Sequence, residues 1–80
     1  MINVLFFARL KDDIGQAKTQ LDDSYAGQSL AQIQQALIEQ GLTALQDKSI
    51  RVAVNKNFCT PELIVNVGDE IAFMPPVTGG

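Results

Sequence analysis

Apolar residues recur along this chain in two rhythms, one of period two and one of period three to four. Ile2 to Ala8 follows the first: Ile2, Val4, Phe6 and Ala8 share one face, and Asn3, Leu5 and Phe7 share the other. After Asn3 both faces are apolar, as in a central strand with something covering each side. Ala17 to Leu21 alternates as a second strand, with Thr19 and Leu21 facing one way, and a hairpin with the first strand is the economical pairing. Ser49 to Asn55 predicts a third, in which Ile50, Val52 and Val54 alternate with Arg51 and Ala53. Glu70 to Met74 predicts the last, with Ile71 and Phe73 on one face and Ala72 and Met74 on the other. Between these two, Asn55-Lys56-Asn57 reads as a turn into Phe58-Cys59. Pro61 breaks the pattern, and Leu63 to Val67 is a short apolar piece ended by Gly68-Asp69.

The second rhythm marks one clear helix. Ser29-Leu30-Ala31-Gln32 fits a capping box, in which the Ser29 hydroxyl and the Gln32 amide satisfy orphan backbone donors reciprocally. Leu30, Ile33 and Leu37 then form one stripe, and the small Ala36 lets that stripe approach a sheet closely. Gln34, Gln35 and Glu39 are expected to form a wet face, and Gly41 a left-handed stop. Leu10 and Ile14 stand four apart before Gly15, a possible helical turn within Arg9 to Gln16. Leu42 and Leu45 are expected to tuck the following loop under the core. The order is strand, strand, helix, strand, short strand or loop, strand. One helix can cover one face of a mixed four- or five-stranded sheet. This α+β order has the layout of a β-grasp, or ubiquitin-like, fold; a ferredoxin-like arrangement satisfies it as well.

The chain then ends in Met74-Pro75-Pro76-Val77-Thr78-Gly79-Gly80. Proline fixes φ and has no N–H for a ladder, so Pro75-Pro76 stops the last strand. Each proline also holds the residue before it extended. The expected division is a domain over 1–74 and an extended tail over 75–80, reaching roughly 18–20 Å at ~3.3 Å per residue. Gly79 and Gly80 lack Cβ, so a partner can close a narrow tunnel around them and touch a terminal carboxylate.

Composition narrows the chemistry. Eighty residues suit one domain, and 46% apolar content is ordinary for a folded one. Histidine and tryptophan are absent, which removes a histidine base, a His-ligated metal and any Ser–His or Cys–His pair within this chain. A formal charge of −3 with a pI near 4.5 argues against a nucleic-acid surface and favours steering toward a basic partner. The single cysteine, Cys59, has no internal disulfide partner and reads as a small buried hydrophobe in a reducing compartment. Ile2 to Ala8 follows no basic segment and is too short for a signal peptide or a membrane span, so a cytoplasmic, soluble protein is expected.

No phosphate-binding glycine loop is present, since Gly15, Gly27, Gly41 and Gly68 are isolated. Asp12-Asp13 and Asp22-Asp23 are sequence neighbours whose side chains diverge, so they read as solvated turn residues. The apolar second face is more informative. If Val4, Phe6, Ile71 and Phe73 pack under the helix, alternation turns Leu5, Phe7, Ala72 and Met74 outward, with Phe58 able to join them. Such a patch at the root of the tail marks a partner interface.

Three stretches resemble the small subunit of molybdopterin synthase: Val4-Leu5-Phe6-Phe7-Ala8, Ala53-Val54-Asn55, and Gly68-Asp69-Glu70-Ile71-Ala72-Phe73-Met74-Pro75-Pro76-Val77-Thr78-Gly79-Gly80. Met74 departs from the family, which commonly has a second phenylalanine there, but it keeps the apolar bulk. The resemblance implies a β-grasp sulfur carrier with no cofactor of its own. An ATP-using activating enzyme would adenylate Gly80, and a sulfur donor would convert it to a thiocarboxylate. The large synthase subunit would then take the sulfur for the dithiolene of a pterin, within a heterotetramer. It implies Gly80 as the reacting residue, Gly79 as permitting its passage, Pro75, Pro76, Val77 and Thr78 as the threaded tail, and Phe7, Phe58 and Met74 as docking residues. Two rival functions keep the tail in use: a carrier for thiamine thiazole synthesis, and a modifier conjugated to target lysines. A plain interaction domain with an inert tail is the third.

Overall fold

The computed structural model describes residues 1–75. Five strands and two helices follow in order: β1 (Ile2–Phe6), α1 (Arg9–Ile14), β2 (Lys18–Leu21), α2 (Leu30–Glu39), β3 (Arg51–Val54), β4 (Asn57–Phe58) and β5 (Glu70–Met74). Short 3₁₀ turns at Asp23–Tyr25 and Thr43–Gln46 flank α2. The sheet order is β2-β1-β5-β3-β4. β1 and β5 run parallel at the centre, and the other pairs, including the expected β1–β2 hairpin, are antiparallel. This mixed sheet, with α2 linking β2 to β3, is the β-grasp arrangement.

Alternation decides what the helix covers. Val4, Ile71 and Val54 lie in one row across β1, β5 and β3, and Phe6, Phe73 and Val52 in the next. These rows meet Leu30, Ile33 and Leu37 of α2 in a single core that also takes Ile2, Leu10, Leu21, Leu45 and Val65. Phe6 and Phe73 stack with ring centroids 6.0 Å apart. Such a pair contributes about 0.5–1.5 kcal/mol beyond the area it buries.

Both ends of α2 are closed by hydrogen bonds. Ser29 Oγ accepts from Gln32 N, and Gln32 Oε1 accepts from Ser29 N, completing the capping box. The next free donors are met by the loop that carries Pro61 to Val65: Leu30 N donates to Leu63 O, and Ala31 N to Pro61 O. At the other end Gly41 N donates to Ile38 O and Leu42 N to Leu37 O, the paired bonds of a Schellman motif. Gly41 sits at φ 111°, and a Cβ added there meets no atom within 4 Å. Gly41→Ala therefore pays only the left-handed backbone cost, about 1–2 kcal/mol. Chemical denaturation should show that loss at unchanged m-value.

β1 ends at Phe6, not Ala8, because Ala8 adopts φ 51°, ψ −129° and turns the chain into α1. β3 covers Arg51–Val54, not Ser49 to Asn55. Asn55 and Lys56 take φ 51° and 71°, forming a two-residue hairpin turn. Asn57 thereby joins β4 opposite Val54 and is not part of the turn. Leu63 to Val67 forms no strand. Val65 is buried, while Leu63, Ile64 and Val67 are exposed, and one bridge joins Ile64 to Ser29. Leu45 is buried as expected, but it belongs to a 3₁₀ turn. The helix glutamines are more than a wet face: Gln34 Nε2 donates to Leu45 O at 2.8 Å, pinning that turn to α2.

Asp22 and Asp23 are each engaged by a nearby donor. Asp22 accepts from Ser24 N and Oγ at the head of the first 3₁₀ turn, and these bonds hold its carboxyl below the usual range. Asp23 accepts from the Met1 amine at 2.6 Å. Asp47 repeats the pattern with Ser49 Oγ and N, which lower its pKa in the same way.

Candidate functional site

Among the described residues no helix covers the sheet face away from α2, and strand register sets what that face displays. Lys18, Leu5, Ala72, Ala53 and Phe58 stand directly opposite one another across all five strands. Paired residues point to the same side, so this row crosses the open face from one edge to the other. One step toward the exit of β5, Met74 faces Arg51, and Phe7 N donates to Phe73 O just beyond the end of β1. One step the other way, Gln20, Asn3 and Glu70 form a polar row, with Gln20 Nε2 donating to Asn3 Oδ1 at 2.8 Å. The face thus grades from amide and carboxylate to apolar, and the apolar end adjoins the exit of β5.

Phe7 is 46% exposed and Phe58 60%, large values for phenylalanine on a small domain. Leu5, Met74 and Pro75 are half-buried. Ala72, expected to turn outward, does lie on this face yet is buried, as is Ala53 beside it. A hollow lined by Leu5, Phe7, Ala8, Lys11 and Lys18 flanks the patch. Phe7, Phe58 and Met74 are therefore on one surface, with Pro75 following at the strand exit. Pro76, Val77, Thr78, Gly79 and Gly80 lie outside the described residues.

Ala8 holds the corner of this surface. Its positive φ lets Leu10 N bond back to Phe7 O and Lys11 N to Ala8 O, so the helical turn starts immediately after Phe7. Cys59 is half-buried against the core, and its thiol donates to Asn57 O. Arg51, an ordinary polar position by sequence pattern, joins this surface: its guanidinium carbon stands 4.4 Å from the centroid of the Phe58 ring. A two-residue Asn55-Lys56 turn would have announced that contact, since it puts Phe58 opposite Ala53 and diagonal to Arg51. No helix among the described residues is long and apolar enough to cross a membrane.

A β-grasp body with an apolar open face beside the last strand's exit is of the ubiquitin-like class. Solved structures agree on the fold. Small archaeal modifier protein 1 from Methanosarcina acetivorans superposes with a TM-score of 0.79 at 24% identity, covering 99% of this chain and 95% of that one. Subunits 1 and 2 of the molybdopterin-converting factor from Helicobacter pylori, solved as a protein–protein complex, include a match with TM-score 0.70 at 21% identity, covering 99% and 97%. Residues 4–80 match the ThiS family, and the chain belongs to that family. Two relatives align along the whole of both chains: the molybdopterin synthase sulfur carrier subunit of Haemophilus influenzae, 41% identical over 83 residues, and that of Escherichia coli, 36% identical over 81.

Proposed function

We infer that this chain is the sulfur carrier subunit of a molybdopterin synthase. The single observation that carries the reading is its end-to-end similarity to two such subunits, 41% and 36% identical. The fold and the apolar surface at the exit of β5 are what a carrier of this kind needs: a body that docks, and a chain end that travels.

The reacting group on this reading is the Gly80 carboxylate. A carboxylate is a poor electrophile because its charge is delocalised and its leaving group is oxide. Adenylation by an ATP-using activating enzyme replaces that with AMP, a good leaving group. A sulfur donor then displaces AMP and leaves a thiocarboxylate on Gly80. In the large synthase subunit the sulfur passes to a cyclic pyranopterin phosphate, and the Gly80 carboxylate is regenerated. Catalysis thus belongs to the assembled synthase and the activating enzyme; this chain supplies the nucleophilic sulfur.

The domain division at Met74 and Pro75 assigns the remaining roles. Phe7, Phe58 and Met74 dock the body on the large subunit, and Pro75, Pro76, Val77 and Thr78 are the tail that threads into it. Gly79 presents no side chain to a tunnel wall. The cytoplasm, where thiols stay reduced, is the compartment this chemistry requires. Intact-mass spectrometry of the protein isolated from cells should find a species in which one oxygen is replaced by sulfur. Isopeptide-linked adducts on other proteins, without that species, would reject the carrier reading in favour of a modifier.

A further inference from the structure

The open face carries one charge placed where a docking partner must meet it. Arg51 stands opposite Met74, the last residue of β5, and its guanidinium lies over the Phe58 ring. That geometry follows from register: Phe58 faces Ala53, and Arg51 is two residues along the same face of β3. The ring's negative face attracts the cation, and a guanidinium held there keeps a planar fork of N–H donors for a partner's oxygens. Among the described residues the one ion pair joins the Met1 amine to Asp23, so no described carboxylate engages Arg51. The cation of the central row, Lys18, lies at the far edge of the sheet, four strands away from Phe58. In a chain of net charge −3, a pre-oriented guanidinium inside an apolar patch is a local reversal of sign.

We propose that Arg51, held over Phe58, is a positioning residue of the docking surface, and that it takes a carboxylate of the large subunit. This rests on the carrier reading above and specifies the partner's chemistry. Apolar contact among Phe7, Met74 and Phe58 supplies area but little directional preference. A charge-assisted, two-pronged hydrogen bond beside Met74 fixes the rotation of the body on its partner, and with it the heading of the chain that leaves at Pro75. The acidic balance of the whole chain does not predict this, because a docking partner senses the local charge.

The test compares the wild-type chain, Arg51→Met and Arg51→Lys in binding to the large subunit across a salt titration, with thermal melting as a fold control. Arg51→Met keeps an apolar stem and should bind about tenfold more weakly, mostly through faster dissociation and with a shallower salt dependence. Arg51→Lys keeps the charge and loses the planar fork, and should fall between them. All three should melt together. Arg51→Met binding as tightly as wild type, with the same salt dependence, overturns the assignment while leaving the carrier reading intact. Failure of the wild-type chain itself to bind the large subunit overturns the docking surface, and this inference with it.

Discussion

A chain lacking Gly80 should support no sulfur transfer at all, yet fold and melt as the full chain does. Both halves follow from where the parts lie. Among the described residues, every member of the core falls between Ile2 and Phe73, and the last ladder pair is Met74 with Arg51. Removing the final residue therefore leaves every described core residue in place, and the melting temperature should stay within about 2 °C. The apolar face is likewise intact, so binding to the large subunit should persist. The chemistry is different in kind. Without Gly80 the carboxylate is carried by Gly79, one residue short, and an extended chain covers about 3.3 Å per residue. Displacements of that size at a reacting atom cost orders of magnitude in rate. The measurement is dithiolene formation when the thiocarboxylated chain, or its truncated counterpart, is mixed with the large subunit and the pterin precursor. Full product formation from the truncated chain would reject Gly80 as the sulfur-bearing residue.

The largest effect on stability should come from Phe73→Ala. Phe73 is fully buried on β5, the strand between β1 and β3, and it stacks on Phe6. Truncating a buried phenylalanine typically costs about 3–5 kcal/mol, part of it transfer free energy and part the cavity left behind. A chain of 80 residues has a total stability of about 4–12 kcal/mol. The substitution thus removes a large share of that total. Urea unfolding should place the midpoint far below that of the native chain. A shift equivalent to less than about 1 kcal/mol would mean that the aromatic pair is not central to the core. The contrast between the two variants separates roles: one ends transfer and spares the fold, the other threatens the fold with the tail untouched.

Much of this was legible along the chain. The capping box at Ser29 and Gln32, the Leu30, Ile33 and Leu37 stripe, and the stop at Gly41 are local, since their hydrogen bonds close within five residues. Strand alternation likewise sorted Val4, Phe6, Ile71 and Phe73 from Leu5, Phe7 and Met74, because side chains must alternate on a pleated ladder whichever strand is the neighbour. The tail's Pro-Pro and Gly-Gly are legible for the same reason: backbone freedom belongs to the residue.

Tertiary structure alone decided the register and the edges. Nothing within β3 or β4 states that Arg51 meets Met74 on one side and Phe58 on the other; that depends on a left-handed Asn55-Lys56 pair and on β5 entering between β1 and β3. Val65 goes into the core while Ile64 and Val67 stay out, because the loop is pinned by its carbonyls and amides to Gly27, Gln28 and Leu30 rather than by its own pattern. Gln34 leaves the wet face because the carbonyl of Leu45 arrives beside it. Hydrogen bonds between near neighbours are written in composition and spacing. Contacts between distant residues are chosen by competition for one small core, and that choice exists only once the chain has closed.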